Sequence, residues 1–182
     1  MTKAWPVERS VSTLPITWTF NNESGLGPRY LTLGLRVSFA VAGYIVGCQY
    51  LQNTADTQPH GMSLYGPDFS LIQGAWFLPS TVAGGESPWA WKARRLRLAW
   101  RVEADTLYIF AVSFIGPIYA SSSGYLTAAD VTVGNVTIKQ NDFTDSLGNG
   151  LFLYGVFNEL PNDSAHNGTI YGIEPLFKPF DK

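Results

Sequence analysis

Trp91-Lys92-Ala93-Arg94-Arg95-Leu96-Arg97-Leu98-Ala99-Trp100-Arg101-Val102 is the stretch on which the fold class turns. Most of its residues are good helix formers, so by composition it competes as a helix. Its spacing points the other way. Leu96, Leu98, Trp100 and Val102 alternate with Arg95, Arg97 and Arg101, a period of two that would smear apolar groups around a helix but lines one side of a strand. Glu103-Ala104-Asp105 then makes a tight connection. Leu107-Tyr108-Ile109-Phe110-Ala111-Val112-Ser113-Phe114 follows as a strand apolar enough to be buried on both faces. The two strands are expected to form an antiparallel hairpin at the centre of the fold.

The same period recurs upstream. Leu31, Leu33, Leu35, Val37, Phe39 and Val41 share one face of a strand whose other face carries Thr32, Gly34, Arg36 and Ser38. After a break at Gly43, Tyr44 to Leu51 gives a second, mostly apolar strand. Shorter candidates are 62–65, 70–77, 131–138, 151–157 and 169–173. Gly84-Gly85, Asn149-Gly150, Pro161-Asn162-Asp163 and Asn167-Gly168 supply turn chemistry between them. With 18 Gly and 11 Pro spread along the chain, few windows are long enough for a helix. The expected fold is all-β, an antiparallel two-sheet β-sandwich of jelly-roll type.

A chain of 182 residues fits one domain, since about 100–200 residues is the usual size. Residues 15–182 are read as that domain. Residues 1–14 are read as an N-terminal arm, because Pro6 and Pro15 bracket polar, strand-poor sequence. Cys48 is the single cysteine, which excludes an intrachain disulfide; in its apolar run it reads as a small buried hydrophobe. The N-terminal sequence has no apolar core of a signal peptide, and no stretch approaches about 18 consecutive apolar residues. Synthesis in a cytoplasm, with no membrane contact, is the expectation.

Charged residues make up 14% of the chain, against about 25% for an ordinary domain. A surface of Ser, Thr, Asn, Gly and aromatics repels neighbours weakly, which suits packing in an assembly or contact with neutral polymers such as glycans. A net charge of −2 leaves no footprint for nucleic acid.

No catalytic constellation emerges. His60 and His166 each lie in polar, turn-like sequence far from any nucleophile motif. Three scattered His and Cys residues give no metal-ligand spacing, so neither a metal nor a cofactor is expected. The oxygen-rich loop 141–150 lacks the order of a calcium loop and reads better as a turn capped by Asx side chains. Glu23, Glu86, Glu103, Glu159 and Glu174 sit in polar loops or beside turns, as solvated charges do. The residues singled out for ligand contact are Trp89 and Trp91, beside a Gly-rich turn, with Tyr119 and Tyr125 as further aromatics and Arg95 and Arg97 as a basic edge. The alternatives are aromatics in the core and a solvated strand face whose Arg stems lie over tryptophans.

From end to end the blocks of this chain resemble the bacterial and phage family called domain of unknown function 4082. Tyr30 to Phe39 is similar to its opening strand, Ala42 to Tyr50 to the strand that follows, and Trp89 or Trp91 to its Gly-Trp before a strand. Val102 to Tyr108, Asn149 to Gly155 and Asn167 to Phe177 match later blocks in the right order. The resemblance spans roughly residues 16–178. The loop 52–61 departs from the family pattern, as do Cys48 and Glu174. It implies a β-sandwich without established catalytic residues, found in surface-exposed bacterial proteins and in virions. The expected role is therefore that of a bacteriophage virion protein, a minor tail or decoration subunit. Its expected location is the virion, and its expected partners are other virion proteins, further copies of itself and a host-envelope glycan. A stand-alone carbohydrate-binding module is the alternative, and a glycoside-processing enzyme a more distant one.

Overall fold

The computed structural model describes residues 7–22, 30–79, 89–115, 118–126, 129–140, 149–154, 159–161, 163–164 and 169–180. Its strands are β1 (Thr19–Asn22), β2 (Tyr30–Phe39), β3 (Gly43–Asn53), β4 (His60–Tyr65), β5 (Leu71–Phe77), β6 (Trp89–Val102) and β7 (Tyr108–Ile115), followed by β8 (Ile118–Ser122), β9 (Val131–Val133), β10 (Val136–Ile138), β11 (Leu151–Tyr154), β12 (Asp163–Ser164), β13 (Ile170–Tyr171) and β14 (Ile173–Pro179). The chain is all-β, with antiparallel sheets packed as a sandwich. An eight-stranded sheet runs β12-β11-β2-β7-β4-β5, with β10 joined to β2 and β9. Facing it is the sheet β14-β3-β6, and a small sheet, β1-β8-β13, adjoins both layers.

The two layers meet through aromatic rings. Phe39 of β2 stacks on Phe177 of β14 at 4.5 Å, and Tyr50 of β3 meets Phe77 and Phe114 of the large sheet at 5.7 and 6.0 Å. Leu33, Leu35, Ile45, Met62, Leu64 and Phe110 fill the space between, each with essentially no exposed surface. Chain crossing between layers is managed at Gly172, between β13 and β14. Its carbonyl accepts from Leu51 and its amide donates to Ala120. A Cβ there would lie 3.0 Å from the Leu51 side chain, so glycine permits the approach.

The strand reading of 91–102 holds, but the expected hairpin does not form. β6 pairs with β3, while β7 pairs with β2 on one side and β4 on the other. The physical reason lies in β7 itself, buried along almost its whole length. A strand apolar on both faces needs neighbours on both edges and layers on both faces, and β2 and β4 already fill its edges. The link 103–107 therefore carries the chain from one sheet to the other. Asp105, at φ 53°, donates its amide to the carbonyl of Phe39, and the amide of Glu103 donates to the hydroxyl of Tyr108.

Within β6 the alternation is interrupted. Ile45 faces Trp100 and Gly47 faces Arg95, so residues 96–99 stand opposite Val46 alone. This bulge lets Leu96 pack against the core while Leu98 is 77% exposed, contrary to the single apolar face its spacing suggests.

Of the segment expected as an arm, residues 1–6 lie outside the described residues, and residues 7–14 are folded onto the sandwich. Glu8 bridges to Phe177, a short 3-10 turn spans Val11–Thr13, and Val11 is fully buried. The Glu8 carboxylate also accepts the backbone and side-chain N–H groups of Asn135 at 2.8 and 2.6 Å, in the β9–β10 turn.

Candidate contact surface

β6 begins beside the short β1, and the start of β6 with β1 and the residue before it brings four rings together. Phe20 lies over Trp89 with centroids 4.6 Å apart and planes 21° apart. One step along, Trp18 meets Trp91 edge to face at 5.9 Å. Trp89 and Trp91 share one side of β6 by alternation, as Trp18 and Phe20 share one side of the incoming chain. Trp89 and Trp91 are half-buried in this arrangement. Phe20 is the ring most open to solvent, at 50% exposure. The expected platform of Trp89 and Trp91 is thus capped by Trp18 and Phe20. Ile16, Trp18 and Phe20 alternate with Thr17 and Thr19 and so mark one face of a strand, but spacing alone does not say that this face meets Trp89 and Trp91.

Arg95 and Arg97 are exposed further along β6, Arg97 within the bulge. Arg101, beyond it, is held by Glu103 at 2.9 Å and lies over the Phe180 ring at 5.6 Å. Arg94 behaves differently. It pairs with Cys48, and its Nε is buried with no hydrogen-bond partner among the described residues. Burial pushes the Cys48 thiol far above its ordinary range, against a smaller opposing pull from Arg94.

Tyr119 and Tyr125 do not join the strip. Tyr119 pairs with Asn21, next to the Phe20–Ala120 pair, so alternation turns it to the opposite face of the small sheet. There it meets Tyr171 edge to face at 6.1 Å and, with Ser121 and Thr169, lines a cavity of about 200 Å³ against Leu31 and Leu33. Tyr125, in the turn after β8, is half-buried against the core.

The histidine expected in a polar turn is buried. His60 opens β4, and its Nε2 lies 2.8 Å from the Asp56 carboxylate. Tyr50, Phe77 and Phe114 surround the ring at 5.3, 5.4 and 4.9 Å, and Nδ1 has no hydrogen-bond partner among the described residues. Glu174, expected as a solvated charge, is also fully buried. Among the described residues no group of three or more His, Cys, Asp or Glu side chains is placed to hold a metal ion. Residues 84–88, 141–148 and His166, all weighed as turn or ligand candidates, lie outside the described residues.

The fold and this surface define an all-β sandwich of antiparallel sheets with an aromatic strip at the start of β6. The chain belongs to the family described as domain of unknown function DUF4082, whose model matches residues 19–172. No curated protein matches it.

Proposed function

We propose that this protein works by surface contact and not by catalysis, as a structural subunit of a larger particle that touches a neutral glycan through its aromatic strip. The observation that carries this reading is the half-exposed ring of Phe20, backed by Trp89 and flanked by the Trp18–Trp91 pair. The apolar C–H face of a pyranose stacks on such a ring, while Arg95 and Arg97, exposed further along β6, offer donors to hydroxyls of more distant units of a longer glycan. Pre-stacking by Trp89 restrains Phe20 before the sugar arrives, which lowers the ordering cost of binding. A virion tail or decoration subunit is the setting that the family resemblance suggests.

Binding of the purified chain to an array of cell-envelope glycans tests the contact. Phe20→Ala and Trp89→Ala are expected to weaken binding roughly tenfold or more, the worth of one ring contact. Equal binding by both variants, or none by the parent, would reject the strip as the site. Mass spectrometry of purified particles tests the setting, with the chain expected in stoichiometric amount. A free carbohydrate-binding module would bind glycan and be absent from particles.

A further inference from the structure

We infer that strand β5 is a self-pairing edge through which two copies of this chain join their large sheets about a two-fold axis. β5 ends the eight-stranded sheet, and among the described residues it has a neighbour, β4, on one side only. Such an edge presents a row of backbone donors and acceptors, a template for another strand. Proteins that remain monomeric blunt such edges with charge, proline or bulges. Leu71-Ile72-Gln73-Gly74-Ala75-Trp76-Phe77 contains no charge and no proline, its one bulge lies at its start, at Ile72, and no charged residue occurs between Asp68 and Glu86.

The side chains agree with the edge. Leu71 and Ile72, at the bulge that opens the strand, are 53% and 41% exposed, and Trp76 and Leu78 are 62% and 68% exposed. Ala75 and Phe77 pack on the core, while these four side chains gain little from burial within their own domain and leave apolar surface for a partner to cover. The charge pattern selects a second copy as that partner. A neutral edge offers no counter-charge to a charged segment, and two copies at net charge −2 repel only weakly.

The register follows from the sequence. An antiparallel pair with its two-fold at Gly74 sets Gly74 against Gly74 of the second copy and Gln73 against Ala75, and brings Ile72, the residue left over in the bulge of β5, beside Trp76. An aromatic ring opposite a β-branched or aliphatic chain is a favourable cross-strand pair, and the glycine at the axis avoids a clash of identical side chains. This contact is separate from the aromatic strip and does not depend on glycan binding.

Sedimentation of the full chain is expected to show a monomer–dimer equilibrium. Ile72→Lys, which places a charge on each strand near the axis, should shift it to monomer while thermal unfolding shows a folded protein. Gly74→Cys should form an intermolecular disulfide on mild oxidation, since antiparallel partners approach within about 4.5–5.5 Å at Cα, within disulfide reach. Thr132→Cys, on the exposed β9, should not. A wild type that stays monomeric would leave the edge to an unlike partner and overturn self-pairing. Open-ended oligomers, or a Gly74→Cys dimer that fails to cross-link, would overturn the two-fold register.

Discussion

The carboxylate of Glu174 accepts the amide hydrogen of Ser10 at 2.7 Å, joining residues 164 positions apart. The same carboxylate accepts the amide of Ser12 at 3.1 Å and its hydroxyl at 2.5 Å, all in a place from which Glu174 has no access to water. A buried carboxylate costs several kcal/mol in desolvation, and two backbone N–H groups with a hydroxyl offset it. In return the segment that holds Ser10 and Ser12 is fastened to β14. Glu174→Ala leaves those amides buried without acceptors and should cost about 2–4 kcal/mol in denaturant unfolding. Glu174→Gln keeps one acceptor and should cost less. Hydrogen exchange separates this from a general loss: protection of Ser10 and Ser12 should fall far more than that of β7. Equal losses would show that the segment is held by other contacts.

The stack of Phe39 on Phe177, both without exposed surface, is one of the joins between the layers. Phe177→Ala removes the ring that spans them and is expected to cost roughly 3–5 kcal/mol, with Phe177→Leu costing less. Gly43→Ala strikes the same place from another direction, because its Cβ would run into the Lys178 carbonyl oxygen and lie 2.6 Å from the Phe177 ring. Urea midpoints compare the three. An unchanged midpoint for Phe177→Ala would mean that the layers are held elsewhere.

Alkaline pH should loosen the fold through Cys48 and Tyr50. Burial raises both groups far above their ordinary values of 9.0 and 10.0, so the folded state keeps protons that the unfolded chain releases. Their contribution to stability is full below those values and is lost as pH rises above them, at most about 1.4 kcal/mol per pH unit for each group. Stability is expected to fall from about pH 9 and more steeply above about pH 10. Cys48→Ala should remove the first part of that slope. A thiol reagent at about pH 9 should modify Cys48 only at the rate of unfolding, since the thiolate is the nucleophile.

What could be read from the residues was local. β2 and β7 announced themselves because a period of two and an unbroken apolar run each have one meaning for a strand, and Cys48 was placed inside by its neighbours. Partnership could not be read, because pairing β6 with β3 and not β7 depends on which edges are vacant in three dimensions. The bulge at 96–99 is likewise imposed by the partner strand, so Leu98 looks apolar-inward in sequence and stands in solvent. His60 and Glu174 misled for a related reason. Each lies among polar or turn-forming residues, and only the fold brings Asp56 or the amides of Ser10 and Ser12 to satisfy it. Trp89 and Trp91 were visible as candidate ring contacts, whereas Phe20 acquires its place only when β1 lies against β6.

Acid should act on a different hairpin. At the base of β9–β10, Asp130 loses some solvation, which alone would raise its carboxyl. The ammonium of Lys139 and the backbone amide of Gln140, the latter at 2.8 Å, outweigh this and hold the carboxyl below its ordinary 3.8. A depressed carboxyl stabilises the fold above its unfolded value, and that contribution is lost as pH falls below 3.8 through the folded value. Both side chains are about a third exposed, so solvent and salt screen the pair and it contributes under about 1 kcal/mol. Asp130→Asn is therefore expected to lower the urea midpoint slightly at about pH 7 and to match the parent at about pH 2.5. The difference at neutral pH should shrink when sodium chloride is raised to about 1 M, where the Debye length is about 3 Å. A deficit that persists unchanged at low pH would mean that the amide side chain disturbs the turn geometry itself, and the charge on Asp130 would not be what ties Lys139 and Gln140 to the hairpin.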